Sequence, residues 1–102
     1  VNLMYIIFGS KKNVYKSIPV DGIDIIEMYH YKFYGKVQLE LNIGKVNNIK
    51  SKIKVIDCTQ KNCVNFISVK FFGNFNSIDA ARNEIKTLIS YGNLNTDMIK
   101  IF

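Results

Sequence analysis

From Lys36 to Ile43 apolar and polar side chains alternate without a fault. Val37, Leu39, Leu41 and Ile43 fall on one side, and Lys36, Gln38, Glu40 and Asn42 on the other. A period of two is the mark of a strand in a sheet with one wet face. Gly44 ends the run and Val46-Asn47-Asn48 turns the chain. The alternation resumes over Ile49–Ile56, with Ile49, Ser51, Ile53 and Val55 against Lys50, Lys52 and Lys54. Upstream, Leu3–Phe8 and Val14–Val20 read as strands, and Pro19 suits an edge or a strand end. Asp21-Gly22 is a turn pair. Ile23–Phe33 is dense in β-branched and aromatic residues, and Tyr34-Gly35 breaks it. In Val64–Phe72 the pattern slips. Val64 and Phe66 share one face while Ile67, Val69 and Phe71 share the other, which predicts a bulge near Ser68 or burial on both faces.

One stretch changes period. Ile78, Ala81, Ile85, Leu88 and Ile89 recur at three- and four-residue steps, so Ser77–Ser90 is predicted to be an amphipathic helix. Asn76 or Ser77 can cap it, Asp79 lies in the positive first turn, and Gly92 stands where a left-handed residue stops a helix. Met98–Phe102 reads as a short added strand. The expected fold is therefore α+β and mostly β. Six or seven antiparallel strands form a bent sheet or barrel closed by one C-terminal amphipathic helix.

Composition narrows the class. At 48% hydrophobic residues the 102-residue chain can build a real core, which excludes a disordered segment. The whole chain reads as a single domain, either alone or as a piece of a longer protein. No apolar run approaches the ~20 residues of a membrane-spanning helix. The apolar opening, Val1–Phe8, lacks a preceding basic segment and reads as a strand rather than a signal peptide. The expected setting is cytoplasmic, with membrane association peripheral at most, and the expected state is monomeric.

Candidate chemistry is sparse. Cys58 and Cys63 are read as free thiols of a reducing compartment, with a turn disulfide as the alternative. His30 is the only histidine and has no nucleophile or carboxylate at motif spacing. Asp21, Asp24 and Glu27 form a short acidic patch, two of the three reading as turn and edge residues, and a metal site would want more oxygens. Tyr29, Tyr31, Phe33 and Tyr34 read as core and cross-strand aromatics, with a base-stacking platform as the alternative. No catalytic role, metal or cofactor is assigned. The net charge of +6, from 14 basic and 8 acidic residues, favours anionic partners: a phospholipid surface, nucleic acid or an acidic protein.

Several stretches in order carry a resemblance: Tyr29-His-Tyr-Lys32, Gly35-Lys-Val-Gln-Leu-Glu-Leu41, Lys52-Ile-Lys-Val-Ile56, Phe66-Ile-Ser-Val-Lys-Phe-Phe72 and Asn76-Ser-Ile-Asp-Ala-Ala81. Together they resemble the pleckstrin-homology superfold, a bent seven-stranded barrel plugged by one C-terminal helix. The chain departs from that family in having no Trp. The resemblance implies an anionic head-group site in the first loop. Carried over residue by residue, it falls on Lys11, Lys12 and Lys16, with Lys32 and Lys36 near the neighbouring connection. Val69–Arg82 separately resembles the last strand and helix of a KH or TATA-binding-protein-like repeat, although the chain has no Gly-x-x-Gly clamp. Under that alternative, Lys50, Lys52 and Lys54 project from one sheet face ~7 Å apart and track phosphates. The expected function is a non-catalytic docking module. It recruits its protein to anionic phospholipid or to a protein partner, and nucleic-acid binding is the alternative.

Overall fold

The computed structural model describes residues 4–61, 63–90 and 96–102, and leaves aside the side chains of 33, 89, 90, 96 and 97. Its strands are β1 (Met4–Ser10), β2 (Tyr15–Pro19), β3 (Ile23–Phe33), β4 (Lys36–Val46), β5 (Lys52–Asp57), β6 (Cys63–Ser68), β7 (Asn74–Phe75) and β8 (Thr96–Lys100). The one α-helix is α1 (Ile78–Ser90). The predicted Gly92 stop lies outside the described residues.

Two antiparallel sheets form. The larger has the order β7-β1-β4-β3-β8, and the smaller β2-β5-β6. They do not close into a barrel, which corrects that part of the expectation. β1 and β2 are consecutive yet lie in different sheets: an isolated bridge, Lys11↔Tyr15, follows β1, and β2 pairs over its full length with β5. The large sheet buries both its faces, as alternation along β1 shows. Met4, Ile6 and Phe8 pack with Ile53 of β5 and with Val69, while Tyr5 and Ile7 pack towards Ala81 and Ile85 of α1. The order of layers is thus small sheet, large sheet, helix. The helix lies on a sheet face and plugs no opening. The shortest extent, 20 Å, fits three layers at the usual ~10 Å spacing.

Both-face burial explains where the simple alternation misleads. On β4 the expected apolar face is graded, from Val37 at 40% exposed to Ile43 at 0%. The expected wet face goes dry towards the middle of the sheet, where Asn42 is 1% exposed. Small-sheet residues cover that side, so the strand runs on past Gly44 to Val46. Gly44 fits because it has no side chain. A Cβ there would stand 2.9 Å from Ile23 Cγ2 and 3.0 Å from Phe8 Cε1. Gly44→Ala is expected to destabilise the fold by about 1–3 kcal/mol, read as a lower urea midpoint at unchanged slope.

Local chemistry sets the ends. Tyr34 and Gly35 both have positive φ, 51° and 76°, the geometry of a tight primed turn joining β3 to β4. Gly22 has φ 96° in the turn before β3. The predicted slip near Ser68 is not a bulge. β6 ends at Ser68, and one turn of 3-10 helix, Val69–Phe71, follows, with the Ser68 Oγ accepting from the Lys70 N–H. That turn buries Val69 and leaves Phe71 exposed. α1 starts as expected, with Ser77 Oγ accepting from the Ala80 N–H at 3.1 Å. Ala81 and Ile85 are its buried face, while Leu88 is 41% exposed. No helix among the described residues is long and apolar enough to cross a membrane.

Candidate functional site

The turn between β1 and β2 is held from three directions. Lys11 O accepts from the N–H groups of Val14 and Tyr15, each at 3.0 Å. Asn13 adopts φ 64°, which asparagine tolerates better than most residues. The Ser17 N–H donates to Ser10 Oγ at 2.9 Å, and the Cys58 N–H donates to Val14 O at 2.8 Å. The last bond ties the turn to the end of β5. Lys11 and Lys12 therefore sit on a fixed backbone although both side chains are exposed.

Beside this turn lies an open cleft of about 290 Å³. Lys11, Lys12, Lys16 and Tyr15 line one wall, and Gln38, Leu39 and Glu40 of β4 line the other. The β3–β4 hairpin makes the second wall because it runs beyond the last β1 pair, Ser10↔Glu40. A second open recess, of about 510 Å³, adjoins it and is lined by Lys12, Asn13, Lys36, Val37 and Gln38. Of the five lysines carried over for an anionic ligand, Lys11, Lys12 and Lys16 thus share the cleft and Lys36 lines the recess beside it. Lys32 does neither: it pairs with Val37 and Asp97 on the far part of β3 and lines neither recess. None of the five has an ion-pair partner among the described residues. One carboxylate, Glu40, shares the cleft, and its Oε1 accepts from Asn42 Nδ2 at 3.2 Å. Against the three ammonium groups of Lys11, Lys12 and Lys16 it leaves the cleft net positive.

The alternative stripe is shorter than expected. Lys50 lies in a turn before β5, with its N–H donating to Asn48 Oδ1, and Ile49 is 57% exposed there. Only Lys52 and Lys54 alternate on the strand. Register sets Lys54 beside Phe66 of β6 and Ile18 of β2. The aromatics of β3 divide. Tyr29 packs on the helix side, Tyr31 is half-buried, and Tyr34 is 66% exposed in its turn. His30 stands in register with Glu40 and Ile99. Cys58 and Cys63 are both free, with Cys58 on the cleft wall.

Among the acidic residues, Asp24 is a surface group that accepts from Asn47 Nδ2 at 2.8 Å. Glu27 is neither a turn nor an edge residue. It is 3% exposed and lies between the large sheet and α1. Arg82 Nε donates to its Oε2 at 2.7 Å, Lys100 Nζ stands 3.2 Å from Oε1, and the Tyr29 hydroxyl donates to Oε1 at 2.7 Å. Burial alone raises the carboxyl pKa. The three hydrogen bonds and the Arg82 charge outweigh it and hold the group below the ordinary glutamate range. The same contact, after burial, pushes the Tyr29 hydroxyl up to about 12. Arg82 also reaches Asp79 at 3.2 Å. This cluster fastens the helix to β3 and β8. No signal in the sequence announces it, because Glu27 and Arg82 are separated by 55 positions.

No protein-family model, curated protein or solved structure matches the chain.

Proposed function

We propose that the chain is a non-catalytic docking module whose lysine-walled cleft takes an anionic head group and so recruits its protein to an anionic membrane surface. The observation that carries this reading is the gathering of Lys11, Lys12 and Lys16 around one cleft beside the β1–β2 turn, with Lys36 in the recess that adjoins it at Lys12. None of the four is engaged by a carboxylate in an ion pair among the described residues. A rigid backbone presenting mobile ammonium groups suits phosphate as a set of point charges, without the bidentate reading an arginine gives. The pleckstrin-homology-like resemblance of the sequence points to the same loop.

Each lysine near an anionic leaflet contributes ~1 kcal/mol. The triple variant Lys11→Ala, Lys12→Ala, Lys16→Ala is then expected to weaken binding to phosphatidylserine-containing vesicles by on the order of 100-fold. Parallel titrations with uncharged phosphatidylcholine vesicles and with single- and double-stranded oligonucleotides, at ~50 and ~200 mM salt, separate a site from bulk attraction. Vesicle binding that persists at the higher salt and is lost in the triple variant supports the reading. No vesicle binding at either salt rejects it. Tight oligonucleotide binding that depends on Lys52 and Lys54 replaces it with nucleic-acid recognition along β5.

A further inference from the structure

β6 is the one sheet edge among the described residues that carries none of the usual protections against pairing. Natural edges are blunted by charge, proline, bulges or very short strands. β7 has two residues, β8 carries Asp97 and Lys100, and β2 carries Lys16 and Pro19. β6 is Cys63-Val-Asn-Phe-Ile-Ser68, without charge or proline, and its register with β5 runs unbroken from Cys63 to Ser68. Among the described residues it pairs on one side only.

The hydrogen-bond phase identifies which backbone groups are left open. In an antiparallel ladder, bonded and non-bonded pairs alternate. The Val69 N–H donates to Ser51 O at 3.1 Å, continuing the register Lys52↔Ser68. The bonded pairs with β5 are therefore those of Ile67, Asn65 and Cys63. The N–H and C=O groups of Val64, Phe66 and Ser68 point away from β5. The bond from the Val20 N–H to Lys52 O agrees, since it turns the even-numbered positions of β5 towards β2. Two of the three side chains at the open positions are apolar and exposed: Val64 is 42% exposed and Phe66 57%.

We propose that β6 is a self-association edge, pairing antiparallel with β6 of a second copy about a two-fold axis at Phe66. That register sets Phe66 opposite the partner's Phe66, and Val64 opposite the partner's Ser68. Every outward backbone group of these three positions then finds a partner, and the two small sheets, of three strands each, become one continuous sheet. A second copy fits better than a charged peptide because the strand offers no charge to complement. The symmetric register places no two like charges opposite each other, since Lys52 and Lys54 lie one strand back on each side. The contact is isologous and closes at two copies. It lies apart from the lysine cleft and stands whether or not that cleft binds lipid.

Sedimentation across a concentration series tests it. The mass of the intact chain is expected to rise from 11.8 kDa to twice that value with concentration. Phe66→Lys places like charges at the axis and is expected to hold the chain at the lower mass. Val64→Pro removes an outward N–H without touching a β5 bond and is expected to do the same. In the dimer the amide protons of Val64, Phe66 and Ser68 exchange more slowly than at low concentration. A wild-type mass that stays at the monomer value throughout overturns the proposal. So does a dimer that persists in both variants, or one that forms without slowing exchange at these three amides. The far-ultraviolet circular dichroism of the variants at low concentration, expected unchanged, shows that they remain folded.

Discussion

Replacing Ile53 by Ala is expected to lower the free energy of unfolding by about 2–5 kcal/mol, a large share of the ~5–15 kcal/mol that holds a domain together. Ile53 is 0% exposed and is the fully buried side chain that the middle strand of the small sheet sends into the large one. Ile6, Phe8, Ile23 and Val46 meet it from the large sheet, and Val69 meets it from the 3-10 turn. Truncation leaves a cavity among residues held by two separate hydrogen-bonded sheets, which have little freedom to collapse on it. The effect reaches beyond stability. One wall of the lysine cleft belongs to β2 and the end of β5, and the other belongs to β4. Loosening the contact between sheets lets the walls drift apart. Urea unfolding measures the first consequence, and vesicle affinity measured well below the unfolding midpoint measures the second. Ile49→Ala is the control. Ile49 is 57% exposed in the preceding turn, and its truncation is expected to change stability by less than about 0.5 kcal/mol.

The second large effect is a dependence on acid. Glu27 has a folded pKa below its ordinary value, so the unfolded chain takes up the proton first. Its contribution is complete above the unfolded glutamate pKa of about 4.3 and is lost as the pH falls from there through the lower folded value. Glu27→Gln removes the charge while keeping the shape. It is expected to cost about 2 kcal/mol at neutral pH, since hydrogen bonds to a charged acceptor are worth ~1.5–3 kcal/mol and the abandoned cations retain access to water. The variant should therefore differ most from wild type at neutral pH and converge with it in acid. Parallel curves at every pH would show that Glu27 is not the linked group. Tyr29 sets the opposite limit. Its hydroxyl holds its proton to about 12 in the folded state, against 10.0 ordinarily, so stability falls as pH rises across that interval. Thermal melts from acid to alkaline pH, on wild type and Glu27→Gln together, read both limits.

These two residues mark how far the sequence could be read. Ile53 was legible because a period of two names the face of a strand. Ala81 and Ile85 were legible because a period near 3.6 names the face of a helix. Neither period says which element lies opposite. The alternation of β4 therefore suggested one wet face, while the fold buries Asn42 beneath a second sheet. The same limit made a barrel and two stacked sheets indistinguishable, since both accept the same alternating strands. In the candidate site, Lys11 and Lys12 announced themselves as adjacent charges in a loop. Lys36 joins them through the reach of the β3–β4 hairpin, whereas Lys32 on that same hairpin falls away from the cleft. Glu27 looked like one more acidic residue near a turn. Its meaning comes from Arg82 and Lys100, which meet it only when the last helix and the last described strand arrive.

That late arrival governs how the protein comes together as it is made. The β3–β4 hairpin closes over a two-residue turn and can form as soon as it emerges from the ribosome. β1 can pair with β4 at that stage, but its other edge at Tyr5 and Ile6 must wait for β7, and the Glu27 carboxylate must wait for α1 and β8. Until then the helix-side face of the large sheet, with Tyr5, Ile7, Ile43 and Tyr29, is open to water beside a charge that has not found its cations. At a synthesis rate of ~5–20 residues per second, the chain spends seconds in that condition. Its dominance by pairings distant in sequence places its own folding among the slower small domains, in the range of milliseconds to seconds. The nascent chain is therefore most exposed to aggregation after β4 has appeared and before α1 has, and a chaperone that shields apolar sheet surface would act in that window.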